Sequence, residues 1–379
     1  MTATPNSKAG LQDVIATVSG ICFIDGEQGV LSYRGFDIHD LAEQTSFEEV
    51  CFLLWYGRLP TRAELGNLES EFAQSRTLPE NILRLMRSLP LANGMDALRT
   101  LASALAHTDP DAANNSPEAN QRKAIRLTAQ LATLVATYGR FANGGAPIEP
   151  DPAIGHAANF LFVLTGERPD ALAARAFDVA LILHADHELN ASTFAARVAA
   201  ATLTDMHSAV VAGIGTLKGP LHGGANADVM RLLLELGAAA DPEQIETAIR
   251  ERLTRKEKIP GFGHRVYRTE DPRATHLRRM SAELGARAGQ PQWYDMSRRI
   301  EAIVAGEKGL NANVDFYSAS TYYALGIPID LFTPVFAVSR IAGWTAHILE
   351  QHANNRLIRP RADYTGRLYP QAFVAIDQR

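Results

Sequence analysis

Apolar residues recur at helical spacing through most of this chain, and nowhere do strands alternate regularly with helices. Residues 97–107, 121–138, 171–184, 194–213, 227–236, 242–254 and 275–285 each carry the pattern. That pattern disfavours a doubly wound nucleotide-binding sheet and predicts a mainly α architecture built from long buried helices. Near the start, β-branched and aromatic residues in 14–24 and 30–33 flank Asp25-Gly26, which predicts a small hairpin. Ser46 with Glu49 and Thr61 with Glu64 have the spacing of capping boxes, and Gly57 and Pro60 close the helix between them. The polar stretch 114–118 and the Gly- and Pro-containing stretch 143–152 read as surface loops. With 379 residues, 46% of them hydrophobic, the chain can bury a full core in two domains or in one large interrupted domain.

A net charge of -5 offers no bulk attraction to nucleic acid or acidic lipid, so neither is an expected partner. An anionic ligand must therefore be gathered by a local cluster. The two cysteines, Cys22 and Cys51, form no CxxC pair, and such low usage suits a reducing compartment. Residues 1–13 hold Lys8 as their one basic side chain and lack an apolar leader core, which gives a cytoplasmic expectation. The most apolar stretch, 195–215, is interrupted by Arg197, Asp205 and His207 and reads as a buried helix, not a membrane span.

Acid-base residues gather in four segments rich in turn formers. His184, His187, Glu188, Asn190 and Ser192 fall in 184–192; His222 sits in Gly219-Pro-Leu-His-Gly-Gly; His264, Arg265 and Arg268 follow Pro260-Gly-Phe-Gly; and Asp315 follows Asn313-Val. Histidines and a carboxylate on loops over a helical scaffold suit proton transfer to and from a bound substrate. Each also has a plainer reading. A histidine beside glycines serves many turns, and Asp315 can simply cap a helix beginning near Ser318.

Taken together, the phrases 184–193, 219–226, 261–273 and 313–318 closely resemble the citrate synthase family, in order, spacing and context. The resemblance runs from about Gly20 to the Arg359-Pro360 segment. It implies a citrate synthase-like two-domain helical fold with a small N-terminal β-hairpin. Residues 1–220 with 319–379 would form the large domain, residues 221–318 the small one, and the active site the cleft between them. It also implies that Asp315 removes a methyl proton from an acyl thioester and that His222 donates a hydrogen bond to the enolate. His264 then polarises the oxaloacetate ketone and protonates the new alkoxide, and hydrolysis of the citryl thioester follows.

By the same resemblance Arg273, Arg340 and Arg359 bind carboxylates, with His187 adding a hydrogen bond. Arg359 comes from the other subunit of a homodimer, and Arg361, two residues on, is an alternative to it. Asn190 and Ser192 match the supporting residues around His222. Ile259, Pro260 and Gly261 match the adenine contacts of CoA, and Arg268 and Lys308 its phosphate contacts. Acetyl-CoA or propionyl-CoA is then a co-substrate, with no tightly bound cofactor. Independently of the resemblance, Arg340 interrupts the apolar run 331–344, where an unpaired charge is costly unless it meets an anion. The basic residues Arg252, Arg255, Lys256 and Lys258 suit CoA by charge but equally suit a solvated helix end.

Other readings fare worse. His184 and His187 stand three apart without a third ligand or the His-x-x-x-His spacing of zinc helices, so no metal is expected. Gly213-Ile-Gly215-Thr-Leu-Lys-Gly219 has its last glycine one residue late for a dinucleotide fingerprint, and Lys218 is followed by glycine where a Walker loop needs Ser or Thr. A 2-methylcitrate synthase using propionyl-CoA would carry the same catalytic groups, although Leu221 before His222 leans towards citrate synthase. A catalytically silent CoA- or acid-binding paralogue is disfavoured because His222, His264, Asp315 and the three arginines are all present.

Overall fold

The computed structural model describes residues 9–11, 14–367 and 369–379. The reading of residues 1–13 as free of a leader falls largely outside the described residues. Cys22–Asp25 (β1) and Val30–Tyr33 (β2) pair antiparallel, with Cys22 opposite Tyr33 and Asp25 opposite Val30. Their turn is tied by the Asp25 carboxylate, which accepts the amides of Glu27 and Gln28 at 3.0 Å each. The expected hairpin is present, and a short third strand, Phe36–Asp37 (β3), extends it beside β2.

Helices make up most of the remainder. The first eight are α1 (Ile38–Gln44), α2 (Phe47–Tyr56), α3 (Arg62–Ser75), α4 (Glu80–Ser88), α5 (Gly94–Leu105), α6 (Pro117–Ala142), α7 (His156–Thr165) and α8 (Ala171–His184). There follow α9 (Ala191–Ala200), α10 (Met206–Leu217), α11 (Ala225–Leu236), α12 (Pro242–Thr254), α13 (Pro272–Arg287), α14 (Gln292–Lys308), α15 (Val314–Ala324) and α16 (Phe332–Ala353). Both expected capping boxes form, at α2 through Ser46 and Glu49 and at α3 through Thr61 and Glu64. Each N-cap contributes about 1 kcal/mol, enough to fix where its helix starts.

Three expectations need correction. The apolar stretch 194–213 is not one helix: α9 ends at Ala200, Leu203 turns through a left-handed φ of 64°, and Asp205 caps α10 by accepting the Ser208 amide at 2.9 Å. Apolar residues on both sides of the break conceal it in the sequence. Pro117 and Glu118 belong to a helix and not to a loop, because Ser116 caps α6 and a proline at the first helical position forfeits no hydrogen bond. Asp315 is not a cap before Ser318: α15 starts at Val314 and its cap is Asn313, which accepts the Asp315 amide at 3.0 Å.

The core is organised around α16, buried from Pro334 to Ile348 and packed against α2, α6, α8, α9 and α10. This helix carries Phe336, Arg340 and Trp344 on successive turns. Helices α13 and α15 pack together and present Arg273 and Asp315 from their first turns. Among the described residues, no helix is long and apolar enough to cross a membrane.

Candidate active site

His222 lies in the turn between α10 and α11, facing the start of α9. Its Nε2 is 3.2 Å from the Ser192 amide nitrogen and 2.8 Å from the Ser192 hydroxyl. An amide can only donate, so Nε2 is the acceptor and the ring proton is on Nδ1. Asn190 caps α9, with its Oδ1 accepting the Thr193 amide at 3.1 Å, and the Ser192 hydroxyl, which carries one proton, lies 2.8 Å from both Asn190 Oδ1 and His222 Nε2 and shares that proton between these two acceptors. Burial, reinforced by the charge of Arg340, lowers the His222 pKa to about 4, so the imidazole is neutral near pH 7.

His264 is held in the opposite tautomer. Its Nδ1 accepts the amides of Val266 at 3.0 Å and Tyr267 at 3.1 Å, which leaves the proton on Nε2. Burial first and Arg273 second bring its pKa to about 4. The neighbouring His187 ring stands edge-on at 5.2 Å, and its Nε2 is 3.2 Å from the Tyr267 hydroxyl. His187 is driven well below the usual histidine range, first by burial and then by Arg273. Glu188, next in the chain, has a left-handed φ of 52°, a strained conformation at the bend between α8 and α9.

Asp315 enters from the first turn of α15. Burial raises its pKa to about 6 against the lowering pull of Arg273, with Asp271 adding to the rise. The loop 259–264 is fastened directly to this turn. Gly261 O accepts the Asn313 amide at 2.9 Å, Asn313 Nδ2 donates to Gly263 O at 2.9 Å, and the Gly263 amide donates to Asn311 O at 3.0 Å. Gly261 permits that approach: its φ is 81°, and a Cβ there would lie 2.8 Å from the Phe316 ring. His264 and Asp315 are thereby held on one rigid unit.

Two arginines face the same region, buried to within 3% and 1% exposure for Arg273 and Arg340. Arg273 gives Nε and Nη2 to the two oxygens of Asp271 at 2.9 and 2.8 Å, and Asp271 Oδ2 also accepts the Val314 amide at 3.1 Å. One edge of the guanidinium is thus occupied, and among the described residues no second carboxylate pairs with it. Arg340 donates Nε to His184 O at 2.7 Å and stacks over Phe336 at 4.8 Å, and no carboxylate among the described residues lies within ion-pair distance of it. A buried cation in that state costs several kcal/mol of desolvation, which an anionic ligand would offset. The site therefore joins two neutral imidazole donors, one carboxylate of raised pKa and two buried guanidinium groups.

Residues 10–361 match the family model described as citrate synthase, C-terminal domain. The chain belongs to the citrate synthase family. It is 54% identical to "Citrate synthase 2" of Bacillus subtilis, with 100% of both chains covered, and 42% identical to the 2-methylcitrate synthase of Shewanella oneidensis over 98% of each. Among solved structures, citrate synthase from Pyrobaculum aerophilum superposes with a TM-score of 0.91 at 39% identity, covering 100% of this chain and 98% of that one. The citrate synthase of Thermoplasma acidophilum, in a ternary complex with carboxymethyl coenzyme A and oxaloacetate, gives 0.91 at 30% identity over 99% of this chain and 100% of the other.

Within this citrate synthase-family chain, His187, Asn190, Ser192, His222, His264, Arg273, Asp315 and Arg340 are brought into one linked region. Ile259, Pro260 and Gly261 border it, with Ile259 buried. Arg268 and Lys308 are exposed, and so are Arg359 and Arg361, which lie in the extended segment beyond α16. Of the basic stretch, Arg252 pairs with Glu235 at 2.5 Å and Arg255 with Glu257 at 2.6 Å, which matches the solvated helix end. Sequence reasoning missed Tyr267, Asp271 and Trp344 as partners of the site. Asp271 carried a readable signal, an acidic residue two positions before Arg273 with a proline between; Trp344 carried none that distinguishes it from core.

Proposed function

We propose that this chain condenses acetyl-CoA with oxaloacetate to form citrate and CoA, with Asp315, His222 and His264 as its catalytic residues. The observation that carries this reading is the pair of neutral imidazoles held by backbone amides in opposite tautomers, so that each presents a fixed N–H donor, with Asp315 on the turn to which the His264 loop is bonded. Asp315 takes an α-proton from the acyl thioester, and the thioester oxygen, becoming an enolate, accepts from Nδ1 of His222. A neutral donor suits this step because its acidity is close to that of the enol it faces. The enolate carbon then attacks the ketone carbon of oxaloacetate, polarised by Nε2–H of His264. That proton passes to the new alkoxide. Water afterwards cleaves the citryl thioester, releasing CoA and driving the sequence forward.

Arg273 and Arg340 bind the oxaloacetate carboxylates with His187 as a further donor, and Asn190 and Ser192 hold His222 in place. Ile259, Pro260 and Gly261 contact the adenine of CoA, with Arg268 and Lys308 towards its phosphates. The cleft lies between a large domain of residues 1–220 with 319–379 and a small domain of residues 221–318, in a cytoplasmic homodimer. Support for the dimer comes from the carboxy-terminal segment, where Leu357, Tyr364, Phe373 and Ile376 are 58%, 72%, 88% and 72% exposed. A second copy covers such residues and receives Arg359 into its site. The 42% identity to a 2-methylcitrate synthase favours one second reading, propionyl-CoA as the acyl donor, because a single methylene changes selectivity by only about 1 to 3 kcal/mol.

The test is thiol release from acetyl-CoA and from propionyl-CoA in the presence of oxaloacetate, compared as kcat/KM. A preference for acetyl-CoA is expected. A preference for propionyl-CoA moves the chain to the second reading, and no release from folded dimer overturns both.

A further inference from the structure

The His264 loop is fastened on one side to residues 311–313, as described above. Its other side is covered by the turn of the amino-terminal hairpin, some 240 residues earlier in the chain by about the separation that makes such contacts invisible to local sequence patterns. The Arg268 amide donates to Gly26 O at 2.8 Å. A Cβ on Gly26 would lie 2.2 Å from Val266 O and 2.9 Å from Val266 C. Those atoms are backbone and cannot rotate away. At Gly29, with φ 69°, a Cβ would meet the Thr269 methyl at 2.8 Å and the Glu270 carbonyl oxygen at 3.1 Å.

The contact falls on the part of the loop that fixes His264. Val266 and Tyr267 supply the two amides that Nδ1 of His264 accepts, so displacing the Val266 peptide displaces the donors that set the ring's tautomer and aim. We propose that the hairpin turn, residues 25–29, is a positioning element for His264, and that Gly26 is the residue on which its close seating depends. This rests on the reading of His264 as the group that polarises the ketone. The turn touches no reacting atom in this scheme. It acts through the 266–268 backbone, and the absence of a side chain at Gly26 is what lets that backbone seat against the hairpin.

Gly26→Ala should lower kcat about 10- to 100-fold, since misplacement by about 1 Å is enough to do so, while leaving the KM for oxaloacetate within about threefold. The ketone carbon of bound [2-13C]oxaloacetate should lose part of the downfield shift that it shows on the unmutated enzyme. Asp25→Ala, which removes the acceptor of the Glu27 and Gln28 amides and loosens the turn without a clash, should shift both readouts in the same direction by less. Gln28→Ala, at the exposed tip, should shift neither. Folded Gly26→Ala protein with unaltered kcat and ketone shift overturns the proposal. Should that variant not fold, Asp25→Ala decides: faster hydrogen exchange at the Val266 and Tyr267 amides supports the proposal, and unchanged exchange overturns it. Because exchange needs no substrate, it still judges the contact if the unmutated enzyme neither releases thiol nor polarises oxaloacetate, a result that would count against the functional reading alone.

Discussion

Trp344 donates its indole N–H to the Ser192 hydroxyl at 3.1 Å, and that same oxygen lies 2.8 Å from Nε2 of His222. A fully buried residue of α16 therefore sets the place of a helix-start serine, which in turn sets an imidazole. The backbone amide of Ser192 fixes which nitrogen carries the proton, and the hydroxyl fixes where the ring stands.

Ser192→Ala separates these two effects. The amide remains, so His222 keeps its tautomer, but the ring loses one of two tethers and the Trp344 N–H is left buried without an acceptor. Stability should fall by about 1 to 3 kcal/mol, the cost of an unsatisfied buried donor. The kcat should fall by about tenfold, one hydrogen bond's worth of positioning, with the KM for oxaloacetate nearly unchanged. Denaturant melts and saturation kinetics on the same preparation check both.

The raised pKa of Asp315 ties activity to stability through one group. As the proposed base it must be ionised, so kcat/KM should rise with pH through about 6 and level off above, while His222 and His264, both lowered to about 4, are already neutral across that limb. Its folded value of about 6 exceeds its ordinary value of 3.8, so between these the native state holds more protons than the unfolded one and stability falls as pH rises. Asp315→Asn should abolish the acid limb along with turnover and stabilise the fold at pH 7 by about 1 to 2 kcal/mol, a figure already reduced for partial exposure. That gain should vanish below about pH 4, where the carboxyl is protonated in both states. Unfolding curves at the two pH values test the sign.

On the proposed reading Arg340 would hold a carboxylate through geometry as much as charge. Its Nε is committed to His184 O, so the terminal nitrogens face the site in a fixed plane over Phe336. Arg340→Lys keeps a cation and loses the fork. The KM for oxaloacetate should rise by about 10- to 100-fold, corresponding to one or two charge-assisted hydrogen bonds, with a smaller change in kcat. Equal losses in kcat and kcat/KM, at unchanged KM, would place the residue in the transition state alone and refute a role in holding the substrate.

The groups proposed to react stand out in the sequence because each is a scarce residue type in a turn-forming context, His222 after Gly219-Pro220 and His264 after Gly261-Phe-Gly263. The charged arginine within 331–344 was readable for the opposite reason, as a polar residue where only apolar ones belong. What aims these groups was not readable. The Val266 and Tyr267 amides have no side-chain signature, Trp344 reads as core, and the hairpin turn meets the His264 loop only through tertiary folding. The break between α9 and α10 was hidden for a related reason: apolar periodicity continues across it, and only the left-handed Leu203 and the Asp205 cap end one helix and begin the next.

Arg359 is exposed in the segment beyond α16, outside the linked region that holds Arg273 and Arg340. If a second copy receives it, Arg359→Ala and Asp315→Ala homodimers should both be inactive, yet a heterodimer of the two should contain one site with both lesions and one intact site. Random mixing makes half of the dimers heterodimers, so exchanged mixtures should recover about a quarter of unmutated activity by two-fold symmetry. An arginine acting within its own chain leaves one lesion in every site and yields no recovery. Arg361→Ala, run in parallel with Asp315→Ala, separates the two neighbouring guanidinium groups: the variant whose homodimer is inactive and whose mixture recovers identifies which arginine crosses the interface. Proven subunit exchange without recovery from either mixture would sink the shared site.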